Sequence, residues 1–230
     1  MTAISLSSGT ILQQSATSSP KVGFLPTASA DSDAFLVKFY DTLSGLACQA
    51  SHLELFGRVP DPAGYINSQA GIFVGGGNTK SMLGVWREWA LDTLLREAWE
   101  SGTVLAGWSA GAICWFDQGV SDAWADRLAP ISGLGMLPGS CCPHYSNEPE
   151  RRPTYHQLLI KGEIVAGVGI DDGCAIHFQG RSPACVVATR GGPNAYSVSV
   201  NGTSILDTPL PVERIHLPAT STCPPPGEER

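Results

Sequence analysis

The chain has 230 residues, enough for one sizeable hydrophobic core and too few for two domains of ordinary size. Apolar residues make up 43% of it and charged residues 15%, which excludes a globally disordered chain. Its 14 basic and 21 acidic residues give a net charge of -7, so the chain lacks the basic surplus that nucleic-acid binding requires.

The beginning of the chain and its cysteines indicate a compartment. The first basic residue is Lys21, and no apolar run approaches the length of a membrane span, so neither a secretory leader nor a membrane partner is expected. Seven cysteines, an odd number without a C-x-x-C pair, favour reduced thiols over disulfides or a zinc site. These features together predict a cytoplasmic protein.

Strand-like and helical segments alternate in the first half of the chain. The apolar run KVGFLP at 21–26 precedes a helical pattern at about 34–47, and HLELF at 52–56 follows as a second strand. GIFV at 71–74 is an all-apolar run typical of a parallel strand covered on both faces. This βαβ rhythm predicts an α/β fold with a parallel sheet.

Later segments complete the predicted domain. One long helix is expected after the glycines at 75–77, ending at Ser101 and Gly102, with a strand at 103–106 directly behind it. From 165 onward, short strand patterns joined by Gly, Pro and Asn turns predict an antiparallel addition at one sheet edge. We expect residues 1–218 to form a single domain and residues 219–230, with three consecutive prolines, to form a loose tail.

A candidate nucleophile lies in the segment Gly107-Trp108-Ser109-Ala110-Gly111. This G-x-S-x-G motif follows a buried strand and precedes a helical run, which is the context of a nucleophile elbow. In such a turn the Ser109 hydroxyl is exposed at a helix N-terminus, where backbone N–H groups stabilise negative charge. The alternative is a glycine-rich turn with a serine N-cap, and the flanking elements favour the nucleophile.

A serine nucleophile needs a general base and a carboxylate to orient it. Among the five histidines, only His144 and His216 have loop-like surroundings, and His144 lies in a Gly, Pro and Cys segment where a polar ring has little reason to pack. Between Ser109 and His144, Asp122 follows a glycine and is favoured as the acid over Asp126, which lies beside an arginine.

The three glycines after GIFV are candidates for an oxyanion hole. One donor is normally the N–H of the residue after the nucleophile, here Ala110, and the second comes from the loop of another strand. Gly76, ahead of Gly77, is our candidate for that second donor. The loop lacks the G-K-[ST] ending of a phosphate-binding P-loop.

In series, these motifs resemble one known family. FVGGGNT, GWSAGA, PHY and GIDDG occur in the order found in peptidase E, the alpha-aspartyl dipeptidases, and the ISLSSGT opening, PTAS, MLPGS and RGGPNAY extend the likeness over nearly the whole chain. The resemblance implies a flavodoxin-like three-layer α/β/α domain related to class I glutamine amidotransferases and cyanophycinase. It also implies a Ser-His-Asp or Ser-His-Glu triad, with no metal or other cofactor.

The resemblance also implies functional residues and a substrate. The nucleophile, acid and base fall on Ser109, Asp122 and His144, and the substrate is a dipeptide that begins with aspartate. Arg151 matches the arginine of that family segment and would bind the substrate carboxylate, unless it is a charge paired with Glu148 or Glu150.

Two further substrate-binding positions are expected. Asp172 resembles an acidic residue of the family and could meet the substrate amine, and Asn78 follows the glycine loop. A small peptide is thus the expected partner, and a homo-oligomer is compatible with the sequence.

Three other interpretations stay open at this point. An α/β-hydrolase esterase would use Ser109, then Asp171 or Asp172, then His216, but needs an HGGG-type loop that the sequence lacks. A cyanophycinase would share the chemistry of peptidase E and differ in substrate. A catalytically silent binding domain would keep the elbow only as scaffold.

Overall fold

The computed structural model describes residues 2–3, 18–58, 61–124, 127–189 and 191–215. Several features singled out above lie outside the described residues: the ISLSSGT opening, Asp126, His216 and the predicted tail at 219–230. No helix in the described ranges is long and apolar enough to cross a membrane.

A mixed sheet of eight strands forms the centre of the fold. In spatial order its strands are β14 (Val212–Ile215), β11 (Ser182–Thr189), β10 (Cys174–Gln179), β1 (Thr2–Ala3), β5 (Val104–Gly107), β4 (Gly71–Val74), β2 (Lys21–Leu25) and β3 (Gln49–His52). The run from β1 to β3 is parallel throughout, whereas β10 pairs antiparallel with both β1 and β11. The expected parallel sheet with an antiparallel C-terminal addition is confirmed.

Within the described residues, six helices flank or connect the strands. They are α1 (Asp33–Leu43), α2 (Pro62–Asn67), α3 (Thr79–Glu88), α4 (Leu91–Glu100), α5 (Ala110–Ile113) and α6 (Arg151–Ile160), and a 3-10 turn covers Thr27–Ser29. Side chains on β2 and β4 alternate between faces, so Phe24 and Phe73 pack with α1, whereas Leu25, Ile72 and neighbouring residues pack with α3 and α4. Helices therefore cover both faces, as a three-layer sandwich requires.

A second sheet of six strands was not anticipated from the sequence. In spatial order it contains β13 (Ser204–Pro209), β12 (Ala195–Asn201), β9 (Gly167–Ile170), β8 (Leu137–Pro143), β6 (Phe116–Trp124) and β7 (Arg127–Ser132). Strands β6, β8 and β9 are parallel to one another. One hydrophobic cluster includes Leu105 from the large sheet and Cys141 and Ile170 from the small one, so the two sheets share a core.

Two predicted elements differ from the structure. The strand expected at 52–56 lies at Gln49–His52, where it pairs with β2 as an edge strand. The single long helix expected before Ser101 is two helices, because Ala90 adopts a left-handed φ of 53° between α3 and α4. This break allows Trp86 and Leu91, on opposite sides of it, to be fully buried in the same cluster.

Candidate active site

Ser109 lies in a tight turn between β5 and α5. Its φ of 54° and ψ of -117° form a conformation that is rare for a residue with a side chain, as expected for a nucleophile elbow. The turn also requires glycine at position 111, because a Cβ there would lie 2.2 Å from the carbonyl oxygen of Val74. The backbone thus holds Ser109 at the C-terminal end of the parallel strands, half-exposed and immediately before α5.

The glycine loop that follows β4 lies beside this elbow. Strands β4 and β5 are parallel neighbours with Val74 opposite Gly107, and a Cβ on Gly76 would lie 3.2 Å from the Cβ of Ser109. Within the described residues, the N–H groups of Gly76, Gly77 and Ala110 have no hydrogen-bond acceptor. Backbone donors on the residue after a serine and on a loop that contacts it can stabilise a developing oxyanion.

His144 and Asp172 form a hydrogen-bonded pair at the ends of two parallel strands. His144 is the first residue after β8, and Asp172 is the second residue after β9. The last residues of these two strands, Pro143 and Ile170, lie opposite each other. The His144 Nδ1 and Asp172 Oδ1 atoms are 2.6 Å apart. Helix α5, which begins directly after Ser109, packs against β8, the strand that leads to His144.

The expected contact between Asp122 and His144 is replaced by a different one. Asp122 lies in β6, not in a loop, and its Oδ2 is 3.2 Å from an Arg151 terminal nitrogen. The carboxylate that holds the His144 ring is Asp172, which we had expected to meet the substrate amine. The physical reason is sheet register: β8 and β9 are adjacent parallel strands, so the residues that follow them meet.

Arg151 does not present a free guanidinium to a substrate. Its side chain is 2% exposed, and its Nε is 2.6 Å from Glu148 Oε2. The same guanidinium donates to the Val120 carbonyl oxygen at 3.0 Å and pairs with Asp122. Its charge is therefore compensated by two carboxylates, which is the pairing with Glu148 that the sequence left as the alternative.

Asn78 has a structural task at the start of α3. Its side chain accepts a hydrogen bond from the Ser81 N–H at 2.9 Å as the N-cap, and its amide donates to the Ala123 carbonyl oxygen at 3.3 Å. Asn78 thereby ties the end of β6 to the helix that follows the glycine loop. Its exposed amide keeps a second N–H, and the expected substrate contact stays a prediction.

Cysteines near the base are poor nucleophiles. Burial raises the pKa of Cys142, two residues before His144, to about 12, and burial also raises the pKa of Cys141 well above its usual value. Both thiols therefore stay protonated at neutral pH, and neither competes with Ser109 as the candidate nucleophile. Across the described ranges, no group of three or more His, Cys, Asp or Glu side chains is arranged to hold a metal ion.

Comparison with known proteins identifies relatives along most of the chain. The sequence model of peptidase family S51 matches residues 4–185. An uncharacterized peptidase, YgaJ, from Bacillus subtilis is 46% identical over 205 residues, which is 88% of each chain. A peptidase E from Shewanella amazonensis is 30% identical over 171 residues, covering 68% of this chain and 70% of its own.

Solved structures show the same fold. A putative peptidase E from Listeria monocytogenes superimposes with a TM-score of 0.59 at 21% identity, over 76% of this chain and 90% of its own. A peptidase from an acI-B1 Actinobacterium superimposes with a TM-score of 0.57 at 18% identity, over 82% of this chain and 81% of its own.

Proposed function

Because this chain belongs to peptidase family S51 and is a peptidase, we propose that it cleaves short peptides by a serine mechanism that uses Ser109, His144 and Asp172. The observation that carries the proposal is the elbow conformation of Ser109, beside backbone amides that have no acceptor among the described residues. The second support is the 2.6 Å pair between His144 and Asp172.

Each residue has a defined role in the proposed reaction. Asp172 accepts the His144 Nδ1–H, which leaves the Nε2 lone pair free to take the proton of the Ser109 hydroxyl. The Ser109 Oγ attacks the scissile carbonyl carbon, and the oxyanion accepts hydrogen bonds from Ala110, Gly76 and Gly77. His144 then protonates the leaving amine, the C–N bond breaks, and water hydrolyses the acyl-enzyme by the same steps.

Substitution of the nucleophile tests this mechanism. We expect Ser109→Ala to lower turnover by ~10³ or more, because attack and proton transfer both require the hydroxyl. A fluorophosphonate should modify the wild-type protein at Ser109, located by mass spectrometry of the digested protein, and should leave Ser109→Ala unmodified. Wild-type turnover in Ser109→Ala would end the serine-peptidase proposal.

We further propose that the substrates are dipeptides with a free N-terminal aspartate. The support is the resemblance to the alpha-aspartyl dipeptidases, together with the peptidase E relatives. The exposed carboxylates of Asp122 and Glu148, which share the single charge of Arg151, leave net negative charge near the loop that carries His144, where it would attract the free α-ammonium group of a dipeptide. The free thiols found among the described cysteines suit the reducing cytoplasm, which is the proposed location.

A substrate panel separates the remaining candidates. We expect kcat/KM for Asp-Leu to exceed that for Glu-Leu, Asn-Leu and N-acetyl-Asp-Leu by at least tenfold, about 1.4 kcal/mol of transition-state binding. Preferential cleavage of cyanophycin would instead identify a cyanophycinase, and preferential cleavage of a simple ester would favour an esterase. Turnover of Asp-Leu should be unaffected by EDTA, because the proposed mechanism uses no metal.

A further inference from the structure

We propose that Asp171 is a positioning residue that holds the loop of the base against the loop of the acid. This inference rests on the proposed function, because it concerns how His144 and Asp172 are kept in register. Asp171 is the residue between β9 and Asp172, and it is among the few charged side chains of the described chain that are buried.

The Asp171 carboxylate joins three segments of the chain. Its Oδ1 accepts a hydrogen bond from the Ser146 N–H at 2.9 Å, and its Oδ2 accepts one from the Asn194 N–H at 3.0 Å. The Asp171 N–H also donates to the Asn194 carbonyl oxygen at 3.0 Å. The loop after β8, the loop after β9 and the residue before β12 are thereby linked through one buried side chain.

A second side chain links the same two loops from the other direction. Asn147 Oδ1 accepts a hydrogen bond from the Asp172 N–H at 2.7 Å. The N–H groups of Asn147 and Glu148 donate to the His144 carbonyl oxygen at 3.1 and 3.0 Å. His144 has a positive φ of 55°, which is uncommon for a residue with a side chain, and these hydrogen bonds help to hold it there.

Asparagine at position 171 would retain the shape of the side chain and lose one of its two acceptors. The amide oxygen can accept from either Ser146 or Asn194, and the amide NH2 then faces the other N–H group, which is a repulsive contact. Relief of that contact moves one loop relative to the other. A displacement of about 1 Å at a catalytic group can reduce the rate ~10²-fold.

The experiment compares Asp171→Asn with a matched control, Asp117→Asn. Asp117 also accepts a backbone N–H with its carboxylate, from Gly139 at 2.9 Å, but it does so near the beginning of β8 rather than beyond its end. Each variant is assayed for kcat and KM on Asp-Leu and for its urea midpoint. The pH dependence of Ser109 modification by a fluorophosphonate is measured as well; in that reaction the Oγ–P bond forms, fluoride leaves and His144 takes the hydroxyl proton.

We expect Asp171→Asn to lower kcat about 10- to 100-fold with KM within about twofold of wild type. In the plot of the Ser109 modification rate against pH, the acidic limb of this variant should move to lower pH. The reason is that an imidazolium less firmly paired with the Asp172 carboxylate loses its proton more readily. Asp172→Asn should move the limb in the same direction and further. Asp117→Asn should leave both kcat and the limb at their wild-type values.

The outcomes separate the two proposals. If Asp171→Asn matches Asp117→Asn in kcat and in the acidic limb, Asp171 serves only the fold. If Asp171→Asn does not fold, Asn147→Ala takes its place in the experiment, because the Asn147 side chain is exposed and less needed for folding. Loss of its contact with the Asp172 N–H should lower kcat and move the acidic limb to lower pH, as expected for Asp171→Asn. An unchanged kcat and limb in Asn147→Ala would then overturn the proposal. Wild-type turnover in Ser109→Ala would end the proposed function itself, whatever Asp171→Asn does.

Discussion

Gly76 has no room for a side chain on the side that faces the nucleophile. A Cβ at this position would lie 2.8 Å from the Trp108 indole nitrogen and 3.2 Å from the Ser109 Cβ. Both neighbours belong to the elbow, and the Trp108 indole is held by stacking on Phe24 and Phe35. The close approach is what a loop must achieve if its N–H groups are to reach an oxyanion formed on a Ser109 acyl group.

We therefore predict that Gly76→Ala lowers kcat about 100-fold, the typical cost of losing one oxyanion donor. Gly84→Ala is the matched control, since a Cβ at that position in α3 would contact nothing within 4 Å. That control should keep full activity and gain about 1 kcal/mol of stability from helix propensity. The measurement is kcat from steady-state kinetics of both variants. Equal kcat values would show that the glycine loop does not contribute to the oxyanion hole.

Arg151 connects elements rather than a substrate. As the first residue of α6 it pairs with Glu148 from the His144 loop and reaches Val120 and Asp122 of β6. Removal of one member of a buried ion pair leaves uncompensated charges. Here Asp122 and Glu148 are 63% and 48% exposed, so water can solvate them and reduce that penalty.

For Arg151→Met we predict a loss of stability of at most about 3 kcal/mol, the low end for buried pairs, seen as a lower urea midpoint. Activity on Asp-Leu and Asn-Leu should fall by the same factor, because the substitution disturbs the His144 loop and not a substrate contact. Arg181→Met, at an exposed arginine in the β10–β11 turn, is the control and should change neither quantity. If activity fell tenfold more on Asp-Leu than on Asn-Leu, Arg151 would instead be assigned to the substrate-binding site.

The elements that could be predicted are those defined by local backbone requirements. The elbow and the glycine loop are readable because G-x-S-x-G and Gly-Gly-Gly limit the conformations of a few adjacent residues. The partner of His144 could not be predicted in this way, because it depends on the pairing of β8 with β9. His144 and Asp172 are 28 residues apart in the sequence and meet only because these two strands are neighbours. One signal was available: Asp172 closely follows the apolar run GVGI, as His144 follows a buried strand.

The small sheet escaped prediction for a related reason. Asp122 follows Gly119 in a segment that reads as a loop, yet it lies in β6, because the strand pairs with β8 up to Gly119 and with β7 on through an irregularity between Ser121 and Trp124. The identity of a long strand with few consecutive apolar residues depends on such partners, which a single sequence does not reveal. Ala90 is a comparable case, because tertiary packing rather than a helix-breaking residue divides α3 from α4.

At the scale of the whole molecule, two of the described histidines resist protonation in the folded state. Burial lowers the pKa of His156, in α6, and of His177, in β10, below their usual value of 6.5. The His156 ring is also 2.6 Å from the Tyr145 hydroxyl and 3.4 Å from Asp207 Oδ2, whose charge partly opposes the shift. The two residues belong to different parts of the fold, His177 in the large sheet and His156 in the helix that packs on the small sheet, so their effects on global stability should add.

We predict that the free energy of unfolding falls as the pH drops below about 6.5. In that range the unfolded chain binds protons at both histidines while the folded chain does not, so protonation favours unfolding. Stability is retained above pH 6.5, where both histidines are neutral in either state. The measurement is the urea midpoint at pH 7.5 and 5.5 for the wild type, His177→Gln and the double variant His156→Gln/His177→Gln. The decrease between the two pH values should be smaller in His177→Gln and smallest in the double variant. An equal decrease in all three proteins would assign the pH dependence to other groups.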